Sequence, residues 1–281
     1  MASETPASPV PTVPADLAEP VDTPTGPGTE PGSPAWWQAR YAERARRRPR
    51  RGGLTLERIT AAALELADRE GTDALTMRRL GEVLQVRHTS LYRHVASREE
   101  LLIETVDHVL GEIRLPVLGG DWRSALEAGA REFRRVLLAH PAVVPLLTAG
   151  QLLGPNALRA REHALAQLLA QGWPPRTAVH VYLTVTHFVI GSAVLDAGGA
   201  ARTPAQRAAM TDLFASLSPR THPVVHRNAE LLNSLDSDEE FDFGLATLLH
   251  GLSRLHDAHG AHGADGADGT HREHDEKEDG T

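Results

Sequence analysis

Residues 75–101 read LTMRRLGEVLQVRHTSLYRHVASREEL, and this stretch decides the fold. It predicts two short helices joined by a tight turn, followed by the start of a third helix. Thr76 is a suitable N-cap for the first helix, because apolar residues follow it at helical spacing. Gln85 and Val86 form the turn, and the second helix runs from about residue 87 to 94.

The second helix is expected to have an anchored face and a polar face. Leu91 and Val95 face inward, so the polar side chains point outward. The major groove of DNA admits one helix, and Arg, His, Ser and Thr side chains reach base edges and phosphates there. The expected DNA contacts of this stretch are Thr76, Arg78, Arg87, His88, Thr89, Ser90, Tyr92, Arg93, His94 and Arg98.

The stretch resembles the tetracycline-repressor (TetR) family of bacterial transcription regulators. The resemblance rests on residues 75–80, on Val86, on residues 90–95 with their L-Y-x-H-V run, and on residues 98–101. One departure is Gln85, where the family usually has Gly in the turn. If this residue is left-handed, Gln costs roughly 1 kcal/mol relative to Gly.

The resemblance continues more loosely from Leu138 to Gly191, so that roughly residues 54–255 are covered. It implies that the last two long helices, 175–197 and 238–256, pair with those of a second subunit in a four-helix bundle. The second of them offers a heptad-like seam for a homodimer. The seam consists of Phe241, Leu245, Leu248, Leu252 and Leu255. The alternative is that this seam packs only within one subunit.

Composition favours a helical protein. The 281 residues are 41% hydrophobic but only 4% aromatic, so the core must be built from Leu, Val and Ala. The absence of cysteine excludes disulfides and thiolate metal sites. The N-terminus lacks the pattern of a signal peptide, and no apolar stretch approaches the ~20 residues of a membrane span. We therefore expect a soluble, cytoplasmic protein without a membrane partner.

The net charge of −8 conceals a basic segment. Residues 36–98 contain 14 Arg against 7 Asp or Glu, so the acidic excess lies in the rest of the chain. A basic head on an acidic body favours binding of a polyanion by the head alone.

The predicted fold class is all-α, with an N-terminal three-helix helix-turn-helix DNA-binding domain and a C-terminal helical ligand-binding and dimerisation domain. Ser97 and Glu100 form a capping box that opens a connector helix to about residue 113. The expected segments are a disordered N-terminal extension (1–34), an Arg-rich arm (35–53), the helix-turn-helix domain (54–98), the effector-binding and dimerisation domain (99–256) and a disordered His/Asp/Glu-rich tail (257–281).

The Arg-rich arm has two interpretations. Its first part is compatible with a short helix, and its end carries Arg44, Arg46, Arg47, Arg48, Arg50 and Arg51 immediately before the first helix of the DNA-binding domain. Narrow minor grooves attract arginine, which favours an arm that enters the groove beside the helix-turn-helix. The alternative is a solvated linker.

The C-terminal domain indicates an effector pocket rather than an active site. There is no Gly-rich phosphate loop and no nucleophile elbow, so we expect no enzyme, no cofactor and no metal. The positions that grip tetracycline and magnesium in the family's namesake fall on Arg114, Gly129, Leu147 and Ala164, so that ligand is not expected. His180 and His187 are about two helical turns apart, too far for one metal ion. Candidate pocket residues are Phe133, Leu137, His163, Thr184, His187 and Phe188.

The predicted function is therefore a ligand-responsive transcriptional regulator, a repressor released from a palindromic DNA operator by a small-molecule effector. The resemblance implies that the effector moves the connector helix and so changes the spacing of the two reading helices. The alternative is a helical small-molecule-binding or catalytic protein whose basic arm binds another polyanion.

Overall fold

A computed structural model describes residues 30–46, 53–116, 119–148, 152–199, 203–234 and 236–268, with the side chains of residues 199 and 259–268 left out. Within these ranges the chain forms eleven α-helices and three short 3-10 helices, and no strand occurs there. The all-α class predicted from the sequence is confirmed.

The α-helices are α1 (Pro34–Arg46), α2 (Leu56–Glu70), α3 (Met77–Leu84), α4 (Arg98–Leu110), α5 (Trp122–Ala139), α6 (Pro155–Ala170), α7 (Pro175–Gly199), α8 (Pro204–Ser216), α9 (Pro223–Arg227), α10 (Leu231–Ser234) and α11 (Ser237–Asp268). The 3-10 helices are Thr72–Ala74, His88–Arg93 and Val144–Thr148. Between α8 and α11 the chain forms only the short helices α9 and α10 in the residues that the structure describes.

The helix-turn-helix forms as predicted, with one difference. Thr76 caps α3 by accepting a hydrogen bond from the Arg79 backbone N–H at 3.1 Å. Gln85 ends α3 in the left-handed conformation, at φ 56° and ψ 38°. The second helix is not α-helical: residues His88–Arg93 form a 3-10 helix, which we call the recognition segment. Leu91 within it and Val95 after it are fully buried.

Helix α4 is shared by two hydrophobic cores. Leu101 belongs to the core of the helix-turn-helix, whereas Val106, Val109 and Leu110 belong to the core of the C-terminal domain. Ser97 caps the helix, and the Glu100 carboxylate accepts a hydrogen bond from the Ala96 backbone N–H at 2.7 Å. The helix ends at Leu110 instead of residue 113, and it physically connects the two domains.

Helix α1 packs on α4, so the first part of the expected arm is a structural helix. Glu104 of α4 is 3% exposed and is bound by two arginines of α1. Arg40 lies 2.8 Å and Arg44 lies 2.6 Å from its carboxylate oxygens. Arg40 also donates to the backbone carbonyl of His94, and the Tyr41 hydroxyl donates to that of Leu153 at 2.6 Å. Helix α1 thus contacts the connector helix α4, His94 before it in the chain and Leu153 after it.

The C-terminal domain is built on α5, α6, α7 and α11. Asp121 caps α5, with its carboxylate 2.8 Å from the Ser124 backbone nitrogen. Helix α11 does not end near residue 256 but continues to Asp268, so the first part of the expected tail is helical. Residues 257–268 contain no proline, and extending a formed helix adds one hydrogen bond per ordered residue. Residues 269–281 lie outside the described part.

Helix α7 differs from the expectation that no apolar stretch approaches the length of a membrane span. Its segment Pro175–Gly198 is long and apolar enough to cross a membrane by length and composition alone. Core helices of globular proteins pass the same test, so it does not by itself indicate a membrane span. The helix packs against α5, α6 and α11, and its other side is exposed.

Candidate DNA interface and effector cavity

The recognition segment sits unusually close to α3, and Gly81 permits this. A Cβ atom at this position would lie 3.0 Å from the Val86 carbonyl oxygen and 3.2 Å from the His88 backbone nitrogen. A larger residue would push the two elements apart. Sequence reasoning did not assign a role to Gly81, although a buried glycine inside an amphipathic helix was the available signal.

The predicted reading residues are mostly available to a ligand. Arg87, His88 and Thr89 are exposed and border a surface cleft with Arg78 of α3. Tyr92 and Arg93 are also exposed, whereas Ser90 and His94 are half-buried. Arg87, His88 and Thr89 therefore form one continuous polar surface with Arg78.

Two of the arginines predicted to contact DNA have partners within the protein. The guanidinium of Arg98 donates to the backbone carbonyls of Leu75 and Thr72, at 2.8 and 2.7 Å. It thereby holds the loop before α3, and this engagement counts against a phosphate contact. Arg44, counted with the arm, is bound to Glu104. Of the arm arginines, Arg46 is described and exposed, while Arg47, Arg48, Arg50 and Arg51 lie outside the described residues.

A cavity of about 130 Å³ lies within the C-terminal domain. Helices α4, α5, α6 and α7 contribute to its walls, which are mainly aliphatic and aromatic. Phe133 and His163 line it as predicted. The other side chains with polar atoms on its walls are Arg161, Gln167, Tyr182, Thr186 and Trp122. Gly129 and Ala164, two of the positions aligned with the tetracycline grip, also face this cavity.

Four predicted pocket residues lie elsewhere. Leu137 is fully buried in the core, and Phe188 stacks on Phe241 with ring centroids 5.3 Å apart. Thr184 and His187 are exposed on the outer side of α7. The cavity instead takes residues 182, 185, 186 and 189 of this helix. Since successive helical residues turn by about 100°, residues 184 and 187 point away from them.

The end of the connector helix forms part of the cavity wall. Leu110, the last residue of α4, and Ile113 just beyond it line the cavity. At its other end, α4 begins at Arg98, and four residues separate it from the recognition segment. A molecule in the cavity would therefore touch an element that is continuous with the DNA-facing surface.

The predicted dimer seam is largely internal. Phe241 and Leu245 are 2% and 1% exposed and belong to the core of their own subunit, as the alternative interpretation allowed. Leu248 and Leu252 are half-buried, and Leu252 contacts the same core. Leu255 is exposed, together with three apolar side chains that sequence reasoning did not select: Val179, Leu183 and Phe243.

Comparison with known families assigns the chain. Residues 59–105 match the family described as "Bacterial regulatory proteins, tetR family". Residues 115–255, half of the chain, match "Tetracyclin repressor-like, C-terminal domain". The chain belongs to the TetR family of bacterial transcriptional regulators. The first match contains the helix-turn-helix, and the second contains most of the cavity wall.

Individual TetR-family relatives cover most of the chain. The "HTH-type transcriptional repressor DrrR1" of Streptomyces coeruleorubidus is 35% identical, over 74% of this chain and 82% of its own length. An "HTH-type transcriptional regulator" of Saccharopolyspora erythraea is 40% identical over 58% of this chain and 69% of its own length. A similar solved structure is that of the Streptomyces coelicolor TetR-family protein ActR in complex with actinorhodin. Its sequence is 32% identical and its TM-score is 0.65, over 72% of this chain and 98% of that chain.

Proposed function

We propose that this TetR-family protein is a dimeric repressor that leaves a palindromic operator when a small molecule occupies the cavity. The observation that carries the proposal is the course of α4. This helix starts beside the recognition segment and ends in the cavity wall at Leu110. No enzyme activity is part of the proposal.

The mechanism is a population shift. The effector favours the conformation in which the walls of the cavity accommodate it, and Leu110 and Ile113 are the residues through which α4 responds. DNA favours the conformation in which two recognition segments match its grooves. An effector weakens DNA binding only by its differential affinity for the two conformations. Because Arg40 and Arg44 of α1 form ion pairs with Glu104 of α4, α1 moves together with α4.

Dimerisation is supported by the exposed sides of α7 and α11. Phe188 of α7 contacts both Phe241 and Gly244 of α11, so the two helices lie side by side. Their outer faces carry Val179, Leu183 and Phe243. Pairing with the same faces of a second subunit covers these residues and makes a four-helix bundle. It also explains why large apolar side chains of α7, Val179 and Leu183, are exposed in one subunit.

The effector is proposed to be an apolar molecule with few polar groups. The structure of ActR in complex with actinorhodin supports an organic ligand. Tetracycline repressors of Escherichia coli, 30% identical, are also relatives. Gly129 and Ala164 offer no polar side-chain atoms to the cavity, so tetracycline–magnesium is not the proposed ligand. The site of action is the cytoplasm, where the operator is found.

A gel-shift assay with the DNA upstream of the protein's own gene tests this function. We expect a discrete complex that an unrelated duplex of equal length does not compete away. Arg87→Ala should reduce the preference for that DNA by roughly 1–3 kcal/mol, because Arg87 is exposed in the polar surface. Arg207→Ala, on exposed α8, is the matched control and should bind normally. Equal competition by both duplexes would contradict the proposal and favour a general polyanion-binding role.

A further inference from the structure

The effector cavity contains a cation without a matching anion. The Arg161 guanidinium lies in its wall, where it donates to the Tyr182 hydroxyl and to the Leu152 carbonyl, both at 3.3 Å. Its central carbon lies 5.8 Å from the centroid of the Tyr182 ring. These partners are neutral, and among the described lining residues there is no Asp or Glu. Arg161 thus gives the cavity a positive charge that the cavity itself does not balance.

A second polar group on the wall is unused. The Nε2 atom of His163 is buried and has no hydrogen-bond partner among the described residues. The neighbouring Gln167 amide is already occupied, because it accepts from the Gly119 backbone N–H and donates to the Gly120 carbonyl. Arg161 and His163 are two positions apart on α6, which separates them by about 200° around the helix. They therefore border the cavity from opposite edges of the α6 face.

Such an arrangement selects a particular ligand chemistry. An unpaired charge is less favourable than a paired one even at the half-buried position of Arg161, and a buried polar atom without a partner costs free energy as well. A carboxylate, sulfonate or phenolate on the ligand removes the first cost by a charge-assisted hydrogen bond to the planar guanidinium. A second polar atom on the ligand satisfies His163. The aliphatic and aromatic remainder of the wall accommodates an apolar skeleton.

We propose that the effector is an apolar organic acid, with its anionic oxygen on Arg161 and a second hydrogen-bonding atom at His163. This deepens the proposed function, since it takes the cavity as the effector site. The relevant acid is an amphipathic small molecule rather than inorganic phosphate, because most of the wall offers no hydrogen bond to a small ion.

A matched pair of fluorescent probes tests the proposal on the full chain. 1-Anilinonaphthalene-8-sulfonate is an apolar acid, and N-phenyl-1-naphthylamine is the same skeleton without the sulfonate. We expect wild type to bind the acid about tenfold or more tightly than the neutral probe, as a hydrogen bond to a charged group permits. Arg161→Gln should remove this preference and leave the affinity for the neutral probe unchanged. Arg161→Lys, which keeps the charge but loses the fork, should give an intermediate preference.

Two control variants locate the binding. Gly129 faces the cavity with open space where a side chain would begin, so Gly129→Phe should fill the cavity and abolish binding of both probes. Arg176→Gln removes an exposed arginine of α7 and should change neither affinity.

Three results would overturn the proposal: equal affinities of wild type for the two probes, an equal loss of both in Arg161→Gln, or acid binding that survives Gly129→Phe. Any of them obtained with a protein that still binds its operator would leave the proposed regulator in place and remove only the acid. Failure of the wild type to bind its operator specifically would instead refute the proposed function as a regulator.

Discussion

Gln85 is the only residue other than glycine with a positive φ in the described part of the chain. It lies in the turn of the helix-turn-helix, and its backbone N–H closes the end of α3 on the carbonyls of Gly81 and Glu82. The side chain is exposed, so nothing but the backbone conformation decides what fits at this position.

We therefore expect Gln85→Gly to stabilise the protein by about 1 kcal/mol, because glycine tolerates the left-handed region without strain. Urea denaturation of the wild type and the variant measures this. Gln85→Ala is the matched control, since alanine has the same steric conflict and should bring no such gain. A gain in both variants, or in neither, would show that the turn is unstrained.

Arg87 and Ser90, at the start of the recognition segment, are expected to contact base edges. Their replacement by Ala should change which bases are preferred, and each lost contact should cost roughly 1–3 kcal/mol at one position of the operator. Tyr92→Ala should weaken binding to every sequence alike, as loss of a phosphate contact does. Competition with operators that carry single base changes distinguishes the two patterns. Unchanged base preference in both early variants would refute the assignment.

The fate of Arg98 shows where prediction from residues stops. The sequence identified it correctly as part of the family motif, but a long side chain at a helix start reaches either outward to phosphate or back to the preceding loop. In the structure the Arg98 guanidinium reaches back and donates to the carbonyls of Thr72 and Leu75. Their position depends on the packing of α2 and α3, which local sequence does not specify.

Among the elements, α1 and α7 were predicted as helices, but the side that each helix buries was not predicted. Periodicity assigns a buried face only where apolar and polar residues alternate with the helical repeat. Helix α7 is apolar around most of its circumference, so Thr184 and His187 were placed in the pocket although they lie outside it. The segment that forms α1 was interpreted from its many arginines as an arm. The partner of Arg40 and Arg44 is the buried Glu104, which lies 60 residues or more away in the sequence, so local sequence did not reveal the ion pairs.

Because α1 packs on α4, the test of the arm concerns the arginines after α1. Deleting the first 51 residues would also remove the contacts of α1 with Glu104. Replacing Arg47, Arg48, Arg50 and Arg51 by Gln leaves α1 intact. If three or four of them engage DNA, the slope of log affinity against log salt should flatten by about 3, at about 0.9 per phosphate.

The measurement is a salt titration of both proteins on one operator. Preference for A·T-rich flanks should fall, while the preference within each half-site should persist. Identical salt slopes would identify the arm as a solvated linker.

At the scale of the whole molecule, the exposed apolar faces of α7 and α11 determine the test of dimerisation. Leu252 contacts its own core, so a charge there would confound assembly with folding. Leu183 and Phe243 are 37% and 76% exposed and avoid this problem. Leu183→Glu/Phe243→Glu should yield folded monomers that lose operator binding, because a buried unpaired charge is costly.

Sedimentation and circular dichroism measure assembly and folding of this variant. Leu158→Glu, at an exposed leucine of α6, is the control and should remain dimeric. A wild type that is monomeric at micromolar concentration would contradict the interface.

His140 links the two domains. It follows α5, and its ring nitrogens lie 2.7 Å from the Asp68 carboxylate of α2 and 3.2 Å from that of Glu112 beyond α4. Burial disfavours the charged ring, but the hydrogen bonds to Asp68 and Glu112 outweigh it and raise the pKa of His140 above its ordinary value. A raised folded pKa means that the charged ring stabilises the protein at low pH.

We therefore expect the loss of stability in His140→Gln to be greatest below pH about 6.5, the unfolded pKa, and to diminish as the pH rises through the raised folded pKa. Urea denaturation at pH 6 and at higher pH measures this difference. His226→Gln, at an exposed histidine of α9, should show little loss throughout. A loss that increases with pH would reverse the sign of the link.

The most direct test of the central claim is selection of DNA sites from random duplexes by the full-length protein. A dimer with two recognition segments should enrich an inverted repeat whose half-sites are about one helical turn, 10–10.5 bp, or a multiple of it apart. The enriched duplex should be released by the molecule that occupies the cavity. Enrichment of a single asymmetric site, or of no sequence at all, would contradict the account.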